Sequence, residues 1–456
     1  MRSNSFILIT AGIIFALFTE FTFVTANDEF NVERLPIGNP ETKYTFCAVK
    51  LNQIFDTASN TTISLNQLAE RLKQYRIVMV GEGHTSDEHH IVELAVIKSL
   101  VESGHKVCLA LEMFTPAQQQ ALDDYIKGEY PKEEFWDKAG WYDSWGYNTR
   151  YYQRIFDYAL EHKIRLYGVN VDRKYATMAR LGTLHELSEQ EVKSLPEIDT
   201  TDVEHRFLIK NFMEGMDATQ PDMFRNLYRA QSLWDAAMGE GAMKAAKENP
   251  DAIIVVLAGG GHVMYNLGIG KIIIKRSPFS FASVIPVDIP EKKEESVMMK
   301  IKKSIKKESK SDDKSNEDKA QKSSKTKGMP SKMMKSMAIP DTIPSKIVIR
   351  SLADFLWGVP DHEGKTKYPG FGFTVDDKDG KGFAIKRVIP ESIAEEKDLK
   401  KNDIILSVDG HDFMTKNELR KYLGIKNWDD MIRFEILRDN ETRSIEFKIE
   451  WKKKEN

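Results

Sequence analysis

Imidazole and carboxylate side chains follow three strand-like runs of this chain. Glu82 and His84 follow the first run, in a Gly-Glu-Gly-His turn, and His262 follows another run in a Gly-Gly-Gly-His turn. Glu112 comes directly after a third run. Imidazoles and carboxylates bind transition metals, and as neighbours they can move protons in general acid–base catalysis. The residue types and their spacing therefore predict a site with metal-binding or proton-transfer chemistry.

Buried parallel strands would bring these side chains together. Continuous apolar and β-branched runs bounded by glycine are typical of such strands, and ligand sites lie at their carboxyl ends. The predicted core strands are 77–80, 107–111, 164–169 and 253–258. Helical segments alternate with them, so the first part of the chain is predicted to be α/β, with a mainly parallel sheet flanked by helices.

A second pair of imidazoles follows the first turn. His89 and His90 lie in the first turns of a predicted helix over residues 87–102, capped by Thr85 or Ser86. We expect His89 or His90 at the rim of the site. The two strand-end histidines, His84 and His262, are expected to converge.

Length and charge limit the classes of function. A chain of 456 residues can hold two or three domains, and a net charge of −3 gives no reason to expect a nucleic-acid partner. Arg2 precedes an apolar stretch that ends near residue 20, and small residues follow to residue 26. This layout predicts a signal peptide over residues 1–26 and a periplasmic or cell-surface location, with membrane anchoring if the segment is not cleaved.

A change of composition divides the chain. Residues 291–343 are dominated by Lys, Ser, Glu and Asp, a composition that predicts a disordered linker because it cannot bury enough apolar surface to fold. Strand-like runs return after Pro344 and mark a second, smaller domain.

The segment from about residue 77 to residue 274 resembles the ChaN-like haem-binding domain, a branch of the Tiki/TraB/erythromycin-esterase-like superfamily. The motifs that carry the resemblance occur in the expected order: Gly-Glu-Gly-His at 81–84 with His89 and His90, Leu-Glu-Met-Phe at 111–114, Gly-Val-Asn at 168–170, Gln-Ser-Leu-Trp-Asp-Ala-Ala-Met at 231–238 and Ala-Gly-Gly-Gly-His at 258–262.

This resemblance implies haem binding in bacterial iron uptake or handling, in some members as a cofacial pair across a homodimer. Phenolate and imidazole are both suitable axial ligands of haem iron. The candidate cofactor-binding residues are His84, His89, His90, Tyr142, Tyr147 and His262. The axial tyrosine stays open.

Other branches of the superfamily resemble metal-dependent hydrolases. Carried over to this chain, the resemblance implies a divalent metal ion bound by His84, Glu112 and His262, with Glu82 as a candidate general base. Hydrolysis is therefore the alternative function, and an envelope scaffold without catalysis is a third. A haem- or iron-binding role is favoured over an enzyme.

The second domain resembles a bacterial PDZ domain. Tyr-Pro-Gly-Phe-Gly-Phe at 368–373 matches the loop whose backbone amides bind a peptide carboxylate, with Gly370, Phe371, Gly372 and Phe373 as the peptide-binding residues. We expect it to bind the C-terminus of a partner protein. The predicted organisation is a signal peptide (1–26), a ChaN-like haem- or metal-binding domain (40–290), a linker (291–343) and a small β-rich PDZ domain (350–452).

Overall fold

A computed structural model describes residues 31–290, 343–362, 364–376 and 380–452. The predicted signal peptide lies outside the described residues, as do residues 291–342 of the predicted linker. Fifteen strands are found in the described part: β1 Phe46–Lys50, β2 Ile54–Asp56, β3 Thr61–Ile63, β4 Ile77–Glu82, β5 Lys106–Leu111, β6 Arg165–Gly168, β7 Ala252–Gly259, β8 Phe281–Pro290, β9 Ser345–Ile349, β10 Phe355–Asp361, β11 Phe373–Val375, β12 Phe383–Val388, β13 Ile404–Val408, β14 Met431–Arg438 and β15 Glu441–Lys448.

The helices of the described residues alternate with these strands. They are α1 Leu65–Leu72, α2 Asp87–Glu102, α3 Gln119–Lys127, α4 Phe135–Lys138, α5 Trp141–Ser144, α6 Gln153–Glu161, α7 Arg173–Leu181, α8 Glu189–Ser194, α9 Val203–Phe212, α10 Met216–Thr219, α11 Pro221–Glu248, α12 Gly260–Val263, α13 Ile269–Arg276, α14 Ile393–Glu396 and α15 Lys416–Gly424.

A large, mainly parallel sheet forms the first domain, in the order β3-β2-β10-β8-β4-β7-β5-β6. The predicted α/β class is confirmed. Both faces of the sheet are covered, because alternate residues of β4 pack into different cores: Ile77 and Met79 on one side, Val78 and Val80 on the other. Helix α11 covers the first side and helix α2 the second.

Strand β7 lies between β4 and β5, and all three are parallel. The two glycine–histidine turns therefore leave adjacent strands at the same edge, with Glu82 paired to Gly259 in register. The runs that precede them were predicted as strands, and both are strands. Strand β8 was not predicted: it follows β7 in the chain and pairs with β4 on the other side.

Two strands beyond the predicted linker return to the first domain. Strand β9 pairs with β1, and β10 runs parallel to β8 inside the large sheet. Residues 345–361 thus belong to the first domain, which differs from the expected PDZ start at residue 350. Their sequence shows the β propensity but not which sheet they join.

The second domain is an antiparallel sheet in the order β11-β12-β13-β14-β15 with helix α15. Phe371, Phe434 and Leu419 belong to its separate core, as the predicted β-rich domain requires. Strand β11 stands at the edge of this sheet. Across the described ranges, no helix has the length and apolar character that crossing a membrane requires.

Candidate functional site

The carboxyl ends of β4, β7 and β5 bring the predicted site residues together. Glu82 ends β4, Glu112 follows β5, and Gly259 ends β7 between them. A Cβ atom added at Gly259 would lie 3.3 Å from His84 Nε2 and 3.6 Å from Glu112 Oε2. The imidazole and the carboxylate therefore approach Gly259 closely, and a side chain at this position would crowd both of them.

His84 is held by a carboxylate on one side and by aromatic rings on the other. Its Nδ1 lies 2.6 Å from Oε1 of the buried Glu82, and its ring centroid lies 4.8 Å from Trp145 and 4.9 Å from Tyr147. Burial alone would lower the pKa of His84, but Glu82 and Glu112 outweigh burial, and the net pKa is raised. The Nδ1–Glu82 contact directs Nε2 toward the space above Gly259.

His262 lies between two carboxylates. Its Nδ1 is 2.6 Å from Asp235 Oδ1, and its Nε2 is 3.4 Å from Glu112 Oε1. Glu112 also accepts the backbone N–H of Gly259 at 2.6 Å. Burial opposes a charge on His262, but the two carboxylates outweigh it and raise its pKa to about 10. The ring is therefore cationic at neutral pH.

Asp235, which connects two imidazoles, was missed by the sequence reasoning. This carboxylate lies on α11, is fully buried, and also approaches His205 Nε2 at 3.2 Å through Oδ2. Its pKa is lowered, since the histidines outweigh the effect of burial. The motif at 231–238 contains this residue, but the 3.6-residue spacing of a long helix gave no sign that it reaches the sheet edge.

The other candidate histidines take different positions. His89 accepts the backbone N–H of Gly83 at 2.8 Å and lies 3.1 Å from Asp288, so it supports the turn from beside the site. His90 is buried beneath the turn, with Nδ1 2.8 Å from Glu93 Oε2 and 3.0 Å from Glu82 Oε2. Of the two histidines expected at the rim, His90 therefore lies below the site and His89 beside it. Glu93 was also missed by the sequence reasoning.

The two candidate tyrosines lie in different surroundings. Tyr147 contacts His84 and is 37% exposed, so it stands at the mouth of the site. Tyr142 faces the second domain, where the Lys421 ammonium lies 6.0 Å from its ring centroid. Burial raises the pKa of Tyr147, and the charges of Glu112 and Glu82 raise it further, which disfavours its phenolate form.

The residues of the predicted metal site lie near one another, but their ligand atoms do not form a close group. Among the described residues, three ligand atoms lie within 4.8 Å of one another in one group, Glu82, His90 and Glu93. His84, Glu112 and His262 surround the Gly259 space without forming such a group in that part of the chain.

In the second domain, the predicted carboxylate-binding loop lies beside an open groove. Gly370, Phe371, Gly372 and Phe373 line it together with Leu419 of α15. Its volume is about 1560 Å³, and it continues along the first domain to Thr85 and Tyr147 at the mouth of the other site.

Three residues of the first domain contact the second domain beside this groove. Asn148 Nδ2 donates to the carbonyl of Gly424 at 2.9 Å, at the end of α15. Arg150 stacks on Tyr368, and the Tyr151 hydroxyl accepts the Tyr368 backbone N–H at 3.2 Å. The segment that carries Tyr147 therefore also supports the peptide-groove helix.

Comparisons with known families agree with the two folds. Residues 68–273 match the family described as haem-binding uptake, Tiki superfamily, ChaN, and residues 369–449 match the PDZ domain. The protein thus combines a domain of the ChaN-like haem-binding family with a PDZ domain, in the predicted order. No curated protein sequence matches the chain.

Three solved structures are similar to parts of the chain. The cofacial haem-binding ChaN of Campylobacter jejuni is 19% identical, with 52% of this chain and 90% of that chain covered and a TM-score of 0.44. A mutant of the erythromycin esterase EreC is 15% identical, with 54% and 78% covered and a TM-score of 0.33. The HtrA-type protease AlgW with a decapeptide is 14% identical, with 24% and 37% covered and a TM-score of 0.18.

Proposed function

We propose that the first domain binds haem at the edge formed by β4, β7 and β5, and that the PDZ domain binds a peptide C-terminus. The single observation that carries the haem proposal is the position of His84, between a buried carboxylate and two aromatic rings. Histidines that bind metals usually bond a carboxylate through the other ring nitrogen, which fixes the tautomer and increases ligand basicity.

The residues present fit haem in their chemistry. His84 offers Nε2 near Gly259, while Trp145 and Tyr147 offer aromatic surface to a flat apolar ring. When bound, haem would supply an iron that accepts an axial ligand. His84 is the better axial candidate by position, since its Nδ1 is held by Glu82 while Tyr147 stands further out at the mouth of the site.

A haemin titration of the purified protein tests this proposal. We expect a saturable Soret shift for the wild type, a loss of about tenfold or more in affinity for His84→Ala, and little change for Tyr147→Phe. His185→Ala is the matched control, because that imidazole is exposed and bonds only the carbonyl of Gly182 among the described contacts. Equal haemin affinities of His84→Ala and the wild type would refute His84 as the axial ligand.

The second candidate function is hydrolysis, and the position of His262 favours it. Two imidazoles with raised pKa values flank Glu112, so a negative charge that develops above Gly259 would be stabilised by their protons. Hydrolysis of chromogenic esters or peptides that is lost in both His84→Ala and Glu112→Ala would support this candidate. Haem binding that needs His84 but not Glu112 would speak against it.

We also propose that the chain is exported. Support comes from the charged start and apolar stretch of residues 1–26. Fractionation of cells that express the full chain, with N-terminal sequencing, tests this proposal. An intact N-terminus in the soluble cytoplasmic fraction would contradict it.

A further inference from the structure

A second cluster of ligand atoms lies beneath the candidate haem site. Glu82 ends β4, and His90 and Glu93 lie one turn apart on α2, so that both point to the same carboxylate. His90 Nδ1 is 2.8 Å from Glu93 Oε2 and 3.0 Å from Glu82 Oε2. The three side chains are buried, and their ligand atoms lie within 4.8 Å of one another.

The carboxylate oxygens of this cluster have few partners. Glu93 Oε1 is buried and makes no hydrogen bond to any part of the chain that the structure describes, and Glu82 Oε2 faces only His90 Nδ1, which also contacts Glu93. A buried polar atom without a partner is costly, and a buried charge without one is costlier still. A single imidazole faces two carboxylates, so it can balance only one of the two negative charges when both are ionised, and a cation between them would balance both.

The surroundings already orient the three ligands. His90 Nε2 lies 3.3 Å from the backbone carbonyl of His84, a contact that requires a proton on Nε2 and leaves the Nδ1 lone pair for the cluster when the ring is neutral. The Tyr152 hydroxyl donates to Glu82 Oε1 at 2.9 Å. Such outer contacts are typical of metal ligands, whose orientation they fix.

We propose that Glu82, His90 and Glu93 bind a divalent transition-metal ion of the Zn²⁺ or Mn²⁺ type. One imidazole nitrogen with carboxylate oxygens suits these ions, whereas an all-oxygen shell would suit Ca²⁺ or Mg²⁺. The ion would bond Glu82 Oε2 and a Glu93 oxygen, and it would occupy the place of the His90 Nδ1 proton. This site lies under the His84 turn and is separate from the Gly259 space.

The ion has a structural role in this proposal. Glu82 is shared, since Oε1 holds His84 while Oε2 faces the cluster. An ion on Oε2 would fix the carboxylate that orients His84. The inference does not require haem binding, so either proposal can fail alone.

The test is the metal content of the full chain, purified without chelator from cells supplied with Zn²⁺ or Mn²⁺ and gel-filtered before elemental analysis. We expect about one ion per chain in the wild type. The metal content of Glu93→Gln and of His90→Gln should be about tenfold lower. Glu102→Gln is the control, because Glu102 ends the same helix at the surface. We expect this control and His262→Gln to retain the ion.

Three results would overturn the proposal: a wild type without the ion, a Glu93→Gln variant that keeps it, or its loss in His262→Gln, which would place it at the Gly259 space. If the cluster variants do not fold, melting of the wild type with and without EDTA decides the question. A lower melting temperature in EDTA supports a buried structural ion, and an unchanged one contradicts it.

Discussion

Asp235 Oδ1 lies 2.6 Å from His262 Nδ1, which joins helix α11 to the short helix α12 that follows strand β7. Both residues are buried, so the pair is isolated from screening by water. This contact explains how a residue of α11 can control the protonation of an imidazole at the sheet edge.

Asp235→Asn should destabilise the first domain and change its pH dependence. Removing one charge of a buried pair costs about 3–5 kcal/mol in the free energy of unfolding. The pKa of His262 is raised in the folded protein from 6.5 to about 10. The stabilisation that its protonated ring gives to the folded state is therefore complete below pH 6.5 and is lost as the pH rises toward 10.

Urea unfolding of the wild type and the variant at several pH values between 6 and 10 measures this effect. Asp222→Asn is the control, since that carboxylate lies on the same helix with 84% of its side chain exposed. A variant whose loss of stability is the same at every pH would show that His262 does not titrate as expected.

Gly259→Ala should weaken haemin binding by about tenfold, because the new methyl group occupies the space beside the proposed axial ligand. Its Cβ would lie only 3.0 Å from His84 Cε1. The neighbouring Gly260→Ala is a close control, since the nearest atom to its Cβ is Met264 Cε at an ordinary 3.4 Å. Haemin titration of both variants checks the prediction, and equal affinities would place the haem elsewhere.

Gly372→Ala should unfold the peptide-binding loop of the PDZ domain. Gly372 has a φ of +79°, and a Cβ there would overlap the Ser392 side chain. The left-handed backbone costs about 1–2 kcal/mol, and the overlap adds about 1–3 kcal/mol. Gly410→Ala, with a φ of +78° and open space around it, carries the backbone cost alone.

Chemical unfolding of the two PDZ variants separates these costs. The Gly372 variant should be the less stable of the pair. If both lose the same free energy of unfolding, the overlap with Ser392 is relieved by movement of the loop, and the loop is less rigid than the contacts suggest.

Arg150→Ala should loosen the contact between the domains. The Arg150 guanidinium carbon lies 3.9 Å from the centroid of the Tyr368 ring, and Nη2 donates to Asn427 at 2.9 Å. Hydrogen exchange should therefore become faster at residues 141–151 and 416–424, while the cores of both domains stay protected. Arg225→Ala, on an exposed part of α11, serves as the control. Unchanged exchange in both segments would show that the other interface contacts suffice.

The sequence predicted the parts of this molecule that depend on local patterns. The four core strands follow from continuous apolar runs, and the place of Glu82, His84, Glu112 and His262 follows from the geometry of parallel sheets. Ser86 caps α2 as expected, because its hydroxyl accepts the His89 N–H.

The remaining parts depend on contacts between distant segments. Asp235 and Glu93 lie on helices whose sequence shows amphipathic spacing but not which carboxylate meets which imidazole. The sheet that β10 joins is decided by its pairing with β8 rather than by its own residues. Pairings of this kind leave no trace in one sequence.

The pairing of β10 with β8 also changes what lies between the two domains. Strand β8 ends at residue 290 in the large sheet, β9 begins at residue 345 and pairs with β1, and β10 returns to the large sheet beside β8, so both ends of the interval from 290 to 345 lie in the first domain. The PDZ sheet begins only after β10. A protease cut within this interval would leave two fragments held by the adjacent strands β8 and β10, each incomplete without the other, and the PDZ domain would remain in place.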